Sequence, residues 1–177
     1  MSKWLYMDLC FKRVLHDQET LIAEIYEIIR KSGEYLYQHL RLEHWKNPYP
    51  IEYIRSDCLK REVFIVRDKV SKQYVHTFQL EFCETESGND SESRLAWIHK
   101  FATIPEFAGK GIGSKSMLFI ESYCRNKNVT RIRLDVYTKS EYAIGFYQKR
   151  GFCIVGKRPT RNFEVYIMEK CIKSACD

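Results

Sequence analysis

Residues 101–115 read "FATIPEFAGKGIGSK", with glycine at alternate positions, Gly109, Gly111 and Gly113. An apolar run precedes them. A stretch with helical spacing follows, in which Met117, Ile120 and Cys124 share one face. Glycine loses more conformational freedom on ordering than any other residue. Three of them at a strand-to-helix junction therefore predict backbone that something must approach closely. A Walker loop, G-x-x-x-x-G-K-[ST], fails here because Ser114 stands five after Gly109. The dinucleotide fingerprint G-x-G-x-x-G fails because Gly111 and Gly113 are followed by Ser116. What remains is a strand, a glycine turn and a helix N-terminus, whose N–H groups and positive dipole end suit an anion. Lys110 and Lys115 add charge nearby. A tight turn without a ligand has the same local pattern, and both readings stay open at this point.

Working outward, "DQETLIAEIYEIIRKSG" (17–33) spaces Leu21, Ile22, Ile25, Ile28 and Ile29 as a helix and predicts a C-terminus at Gly33. "EYLYQHLRLEHW" (34–45) reads as a second helix, stopped before Pro48. "REVFIVRD" (61–68), "KQYVHTFQLEFCE" (72–84) and "RLAWIHKFAT" (94–103) read as strands, the last two joined by the polar loop "TESGNDSES" (85–93). "RIRLDVY" (131–137) alternates, with Ile132, Leu134 and Val136 on one side. "EYAIGFYQKR" (141–150) is helical, and Gly151 sits where a left-handed cap belongs. Two closing strands, "FCIVG" and "NFEVYIME", are joined through a turn containing Pro159. The expected order is α, α, β, β, β, α, β, α, β, β, in one mixed α/β domain over residues 1–177.

The chain has 29 Lys and Arg against 23 Asp and Glu, a net charge of +6. No basic block or basic-aromatic repeat accompanies it, so no nucleic-acid partner is expected. Seven cysteines with no C-x-x-C suggest neither a disulfide framework nor a zinc site. Most are expected to be small buried hydrophobes of a reduced, cytoplasmic protein. The histidines show no metal-ligand spacing, so no metal is expected. No window approaches a membrane span, and no membrane partner is expected.

"GKGIG" after "FATIPEFA", with "AIGFYQKRGF" some thirty residues on, resembles the GNAT superfamily of acetyl-CoA-dependent N-acetyltransferases. The resemblance covers residues 95–152. It implies a central, mostly antiparallel twisted sheet of six to seven strands, splayed at the coenzyme A site and flanked by about four helices. It also implies that main-chain N–H groups of Gly109, Lys110, Gly111, Ile112, Gly113 and Ser114 hold the pyrophosphate. Phe101, Ala102 and Thr103 would pair backbone to backbone with the pantetheine arm, like an added strand. Ser140, Ala143, Phe146 and Tyr147 would complete the coenzyme A contacts. The loop carries Ala108 where the family has Gln or Arg, and Ser140 stands where it often has Asn.

Tyr147 matches the family's tyrosine near the thioester sulfur, where it acts as general acid or stabilises the thiolate. A packed core aromatic is the competing reading. The developing oxyanion would be met by a main-chain N–H near Thr103. No single base is identifiable: Glu81, Glu84 and His99 are candidates beside a water chain. Alternation places Trp97, His99 and Phe101 on one face unless a bulge breaks the register. Asp135 reads as a structural hydrogen-bond acceptor. Helices over about 17–46 would form the acceptor side. There, within "EHWKNPYP", Trp45 and Tyr49 would either wall the acceptor pocket or staple a helix end. The implied activity is transfer of acetyl from acetyl-CoA to a primary amine of a small molecule, amino acid or peptide in a ternary complex. A non-catalytic acyl-CoA-binding domain on the same fold is the alternative, and the chain is expected as monomer or homodimer.

Overall fold

A computed structural model describes residues 8–47, 49–84 and 94–172. Among them are seven strands: β1 Leu9–Val14, β2 Glu62–Asp68, β3 Tyr74–Glu84, β4 Arg94–Thr103, β5 Val129–Tyr137, β6 Cys153–Pro159 and β7 Glu164–Cys171. Four α-helices join them: α1 Glu19–Leu40, α2 Ile51–Lys60, α3 Ile112–Arg125 and α4 Glu141–Gln148. The strand order is β1-β2-β3-β4-β5-β7-β6. β1–β2, β2–β3, β5–β7 and β6–β7 pair antiparallel, while β4 pairs β5 in parallel. The expected sheet and helix number hold.

The residues pack as two compact units. One is drawn from the chain up to Leu80 and from Lys100–Leu118, the other from Glu81–His99 and from Phe119 onward. The first unit is organised by α1. Leu21, Ile22, Ile25, Ile28 and Ile29 are buried, and Ser32 and Gly33 continue the same stripe one repeat further. They close on Val63, Ile65, Val75, Ala102, Ile104 and Ile112. Each large aliphatic so buried contributes about 1.5–3 kcal/mol.

Two expected helices are therefore one. Gly33 does not end α1; it lies on the buried stripe, and burial offsets its propensity cost of about 1 kcal/mol. The helix ends instead at Arg41, left-handed at φ 54°, with the Arg41 and Leu42 N–H groups bonded back to Tyr37 and Leu36. What was read as the end of a second helix is a single 3-10 turn, Glu43–Trp45. β1 and α2 were not anticipated. Pro159 is the last residue of β6, and the turn follows it, closed by Thr160 and Phe163. The loop at 85–93 lies outside the described residues.

The second unit follows the expected pattern closely. Ile132, Leu134 and Val136 of β5 are buried, as are Ile120 and Cys124 of α3. Met117, which shares their face, is buried in the first unit. Asp135 accepts a hydrogen bond from Arg158 on β6, the structural part read for it. Gly151 takes φ +84°, and the Phe152 N–H bonds Tyr147 O at 3.1 Å, capping α4. The cysteine expectation fails: of the described thiols Cys124 is buried, whereas Cys10, Cys153 and Cys171 are exposed.

Candidate functional site

After β4 the chain makes a 3-10 turn over Pro105–Phe107, anchored where the Ile104 N–H bonds Val75 O at 3.0 Å. Gly109 and Gly111 then adopt φ +72° and +82°, backbone that L side chains rarely take. A Cβ built on either meets no protein atom within 4 Å. Protein packing therefore does not demand glycine here; the backbone conformation does, and the surface above it is open. Gly113 differs from the other two. It lies in the first turn of α3, outside the left-handed region.

The Gly111 carbonyl accepts the Lys115 N–H at 3.0 Å, which starts the helix. The amides of Ile112 and Gly113 thus open α3 with no carbonyl one turn back inside it. Buried Ile112 pins this end to the core. Of the expected donors, the Lys110 N–H turns back to Phe107 O at 3.4 Å. The Lys110 ammonium lies 4.8 Å from the Phe107 ring centre.

The end of β4 is bent. Lys100 has φ +47°, and the ladder between β4 and β5 stops at Ile98↔Leu134, although β5 continues to Tyr137. Beyond the bend, Phe101 packs edge-on against His76 at 4.4 Å, Ala102 is buried, and Thr103 Oγ1 lies 2.8 Å from His76 Nδ1. Alternation carried through from Trp97 does not survive: Phe101 packs with His76 and Phe78, and the chain turns left-handed at Lys100 between them.

Lys100 also meets Tyr49. Its ammonium bonds the Asp57 carboxylate and sits 4.7 Å from the Tyr49 ring centre. Gln79, fully buried, donates to Asp57 Oδ2 at 2.9 Å, and Arg61 lies 3.3 Å from Oδ1. Tyr49 thus contacts an ion pair whose side chains are only 11% and 13% exposed. Trp45 ends the 3-10 turn after α1. Replacing Asp57 with Asn leaves a largely buried ammonium without its counter-charge, and we expect a loss of about 2–4 kcal/mol. Urea unfolding reads this directly, and a midpoint unchanged from wild type would refute it.

In the second unit two separate base candidates form one pair. His99 Nε2 lies 2.8 Å from Glu81 Oε2, with side chains 26% and 38% exposed. The Trp97 ring runs nearly parallel to that of His99, with centres 6.5 Å apart.

Helix α4 starts at Ser140, which is buried and whose side chain makes no capping bond; its carbonyl accepts the Ile144 N–H at 3.0 Å. Ala143 and Phe146 are half-buried. Tyr147 is buried, edge-on to Phe146 at 5.1 Å and to Phe152 at 5.7 Å. Burial raises its hydroxyl well above the usual tyrosine range, with the nearby Arg150 guanidinium pulling weakly the other way. That guanidinium lies 3.6 Å from the Phe146 ring centre and donates to Phe146 O at 2.9 Å.

Asp57, Gln79, Lys100 and His76 were not singled out as site residues. Their partners lie 22 to 43 residues away in sequence, beyond any local spacing signal. Among the described residues no three or more His, Cys, Asp or Glu come together to hold a metal ion. No described helix is long and apolar enough to cross a membrane.

This architecture recurs in solved proteins. The ribosomal-protein-S18-alanine N-acetyltransferase of Escherichia coli superposes with a TM-score of 0.70 at 15% identity, over 96% of this chain and 97% of that one. The PaiA N-acetyltransferase of Thermoplasma acidophilum, solved in complex with coenzyme A, gives 0.68 at 18% identity, over 93% and 99%. Both likenesses are of fold. In sequence, the uncharacterized N-acetyltransferase YesJ of Bacillus subtilis (strain 168) is 30% identical over 76 residues, 43% of this chain and 42% of that relative's length. The sequence profile of the acetyltransferase (GNAT) family matches residues 22–152, from the first buried turn of α1 to the cap of α4. With the glycine turn, the bent strand and the tyrosine helix all inside that span, the chain belongs to the acetyltransferase (GNAT) family.

Proposed function

We propose that this protein transfers the acetyl group of acetyl-CoA to a primary amine of a small molecule, amino acid or peptide, by direct attack in a ternary complex, in the cytoplasm. The observation that carries the reading is the left-handed turn at Gly109 and Gly111, opening into the first amides of α3. Amides aimed outward at a helix N-terminus bind a pyrophosphate with no further charge required. Coenzyme A in the similarly folded PaiA enzyme supports the assignment.

In the reaction the amine nitrogen bonds the acetyl carbon, the C–S bond breaks, and the thiolate leaves. An alkylammonium with pKa about 10.4 must first lose a proton, which at pH 7 costs about 4.6 kcal/mol. His99, held by Glu81, takes that proton. Tyr147 is assigned to the other end of the chemistry. Its burial makes it a weaker acid than free tyrosine, while a thiol has pKa about 8.5, so full proton transfer to sulfur runs uphill. Tyr147 therefore stabilises the thiolate by donating a hydrogen bond, and solvent completes the protonation.

The direct test is thiol release from acetyl-CoA across a panel of amines. Release above hydrolysis with at least one amine supports transfer, whereas tight coenzyme A binding with no transfer to any acceptor selects the non-catalytic alternative. Replacing His99 with Ala lowers kcat about 10²–10⁴-fold and removes the acid limb of its pH profile. Glu81→Gln lowers it less, keeping the imidazole but loosening it. A wild-type rate for His99→Ala at saturating amine rules the imidazole out as base.

A further inference from the structure

Just past the end of α4 stands Arg150, which the scheme above does not use. Its neighbours Gln148 and Lys149 are exposed, whereas Arg150 is half-buried and turns back over the helix. The backbone explains why. In a continuing α-helix the Arg150 N–H would bond Phe146 O, four residues back. Here it bonds Tyr147 O at 2.9 Å instead, while the Lys149 N–H takes Gly145 O at 3.1 Å. The Phe146 carbonyl, passed over by the closing turn, accepts Nη1 of Arg150 at 2.9 Å. Last-turn carbonyls of a helix need such donors, and a cation is favoured at that end.

The same guanidinium lies 3.6 Å from the Phe146 ring centre, so one side chain holds both the carbonyl and the ring of Phe146. Tyr147 is edge-on to two rings, Phe146 at 5.1 Å and Phe152 at 5.7 Å. Phe152 lies in the core at 2% exposure, whereas Phe146 is only half-buried. Of the two rings that flank Tyr147, core packing therefore sets one and Arg150 sets the other.

We infer that Arg150 is a positioning residue for the acetyl transfer: its grip on Phe146 sets the Tyr147 ring, and with it the hydroxyl that meets the leaving thiolate. The inference rests on the role proposed for Tyr147 and adds a residue that acts through it. A misplaced reacting group costs rate more than binding, because the contact it makes strengthens only as charge develops.

Turnover and a double-mutant cycle test it. Arg150→Met keeps the length of the side chain but neither its charge nor its donors. It lowers kcat about 10-fold, while the KM for acetyl-CoA changes less than about threefold. Arg150→Lys, which keeps a cation and a donor without the flat face, recovers part of the loss. In a Tyr147→Phe background Arg150→Met lowers kcat less than about twofold, since the hydroxyl it positions is gone. A thermal melt checks folding, and should Arg150→Met unfold, Arg150→Lys carries the same cycle. An equal loss in both backgrounds overturns the inference, as does a wild-type kcat for Arg150→Met or a loss confined to KM. If Tyr147→Phe alone keeps the wild-type kcat, the reading of Tyr147 falls and takes this one with it. If Tyr147→Phe is slow and the cycle is additive, only the part given to Arg150 falls.

Discussion

Gly111→Val is expected to weaken coenzyme A binding about 100-fold while leaving the protein folded. At φ +82° an L side chain is strained by about 1–2 kcal/mol, and β-branching adds to that. The chain relieves the strain by rotating the peptide, which swings an amide away from the phosphate. A hydrogen bond to a charged group is worth about 1.5–3 kcal/mol, and together these approach the 2.7 kcal/mol of a 100-fold change. No protein atom lies within 4 Å of the new Cβ, so the fold itself is not overpacked. Calorimetry with coenzyme A measures the loss, and a thermal melt checks that the variant is folded. Affinity within a factor of two of wild type would remove the turn as the phosphate cradle.

Tyr147→Phe is expected to lower turnover about 10–1000-fold with little change in coenzyme A affinity. The hydroxyl is the only group deleted, and Phe keeps the edge-on contacts with Phe146 and Phe152. Because burial lifts the Tyr147 pKa above the ordinary value near 10, the phenol stays protonated through any working pH. The alkaline limb of the rate profile thus does not come from this residue. The folded state favours the neutral phenol more than the unfolded chain does. That stability is fully present below about pH 10 and is lost as pH rises toward the higher folded value. Tyr147→Phe has no phenol to ionise and resists alkaline unfolding better than wild type. Unchanged kcat would end the catalytic assignment, whatever the alkaline melt shows.

The parts legible in the sequence are those whose signal is local. Gly151 announces a left-handed cap because few other residues adopt that backbone cheaply, and it takes one; Gly109 and Gly111, read as glycines for a close approach, are left-handed as well. Met117, Ile120 and Cys124 mark one face of α3 within two turns. α1 was divided wrongly because Gly33 looks like a cap in a window of a few residues; only the longer stripe shows it continuing the core. β1 escaped because Lys12 and Arg13 interrupt its alternation, and it exists by pairing with β2, some fifty residues on. α2 buries only Ile54 and so has little amphipathic pattern to read. The site divides in the same way. Tyr147 and the glycine turn sit in compact motifs, whereas the Asp57–Lys100 and His76–Thr103 contacts are made by the tertiary fold alone.

Strand β6 stands last in the sheet, paired on one side only, and almost every residue along it is exposed. A bare row of amides and carbonyls at such a margin is a template for another chain to add itself. Here the margin is interrupted. Its register slips between Ile154 and Gly156, Lys157 and Arg158 stand on it in ion pairs with Glu164 and Asp135, and Pro159 removes a donor at its end. A neighbouring copy attempting to extend the sheet meets an irregular, partly donorless border. A slipped register and a terminal proline make this outer border poor at recruiting strands.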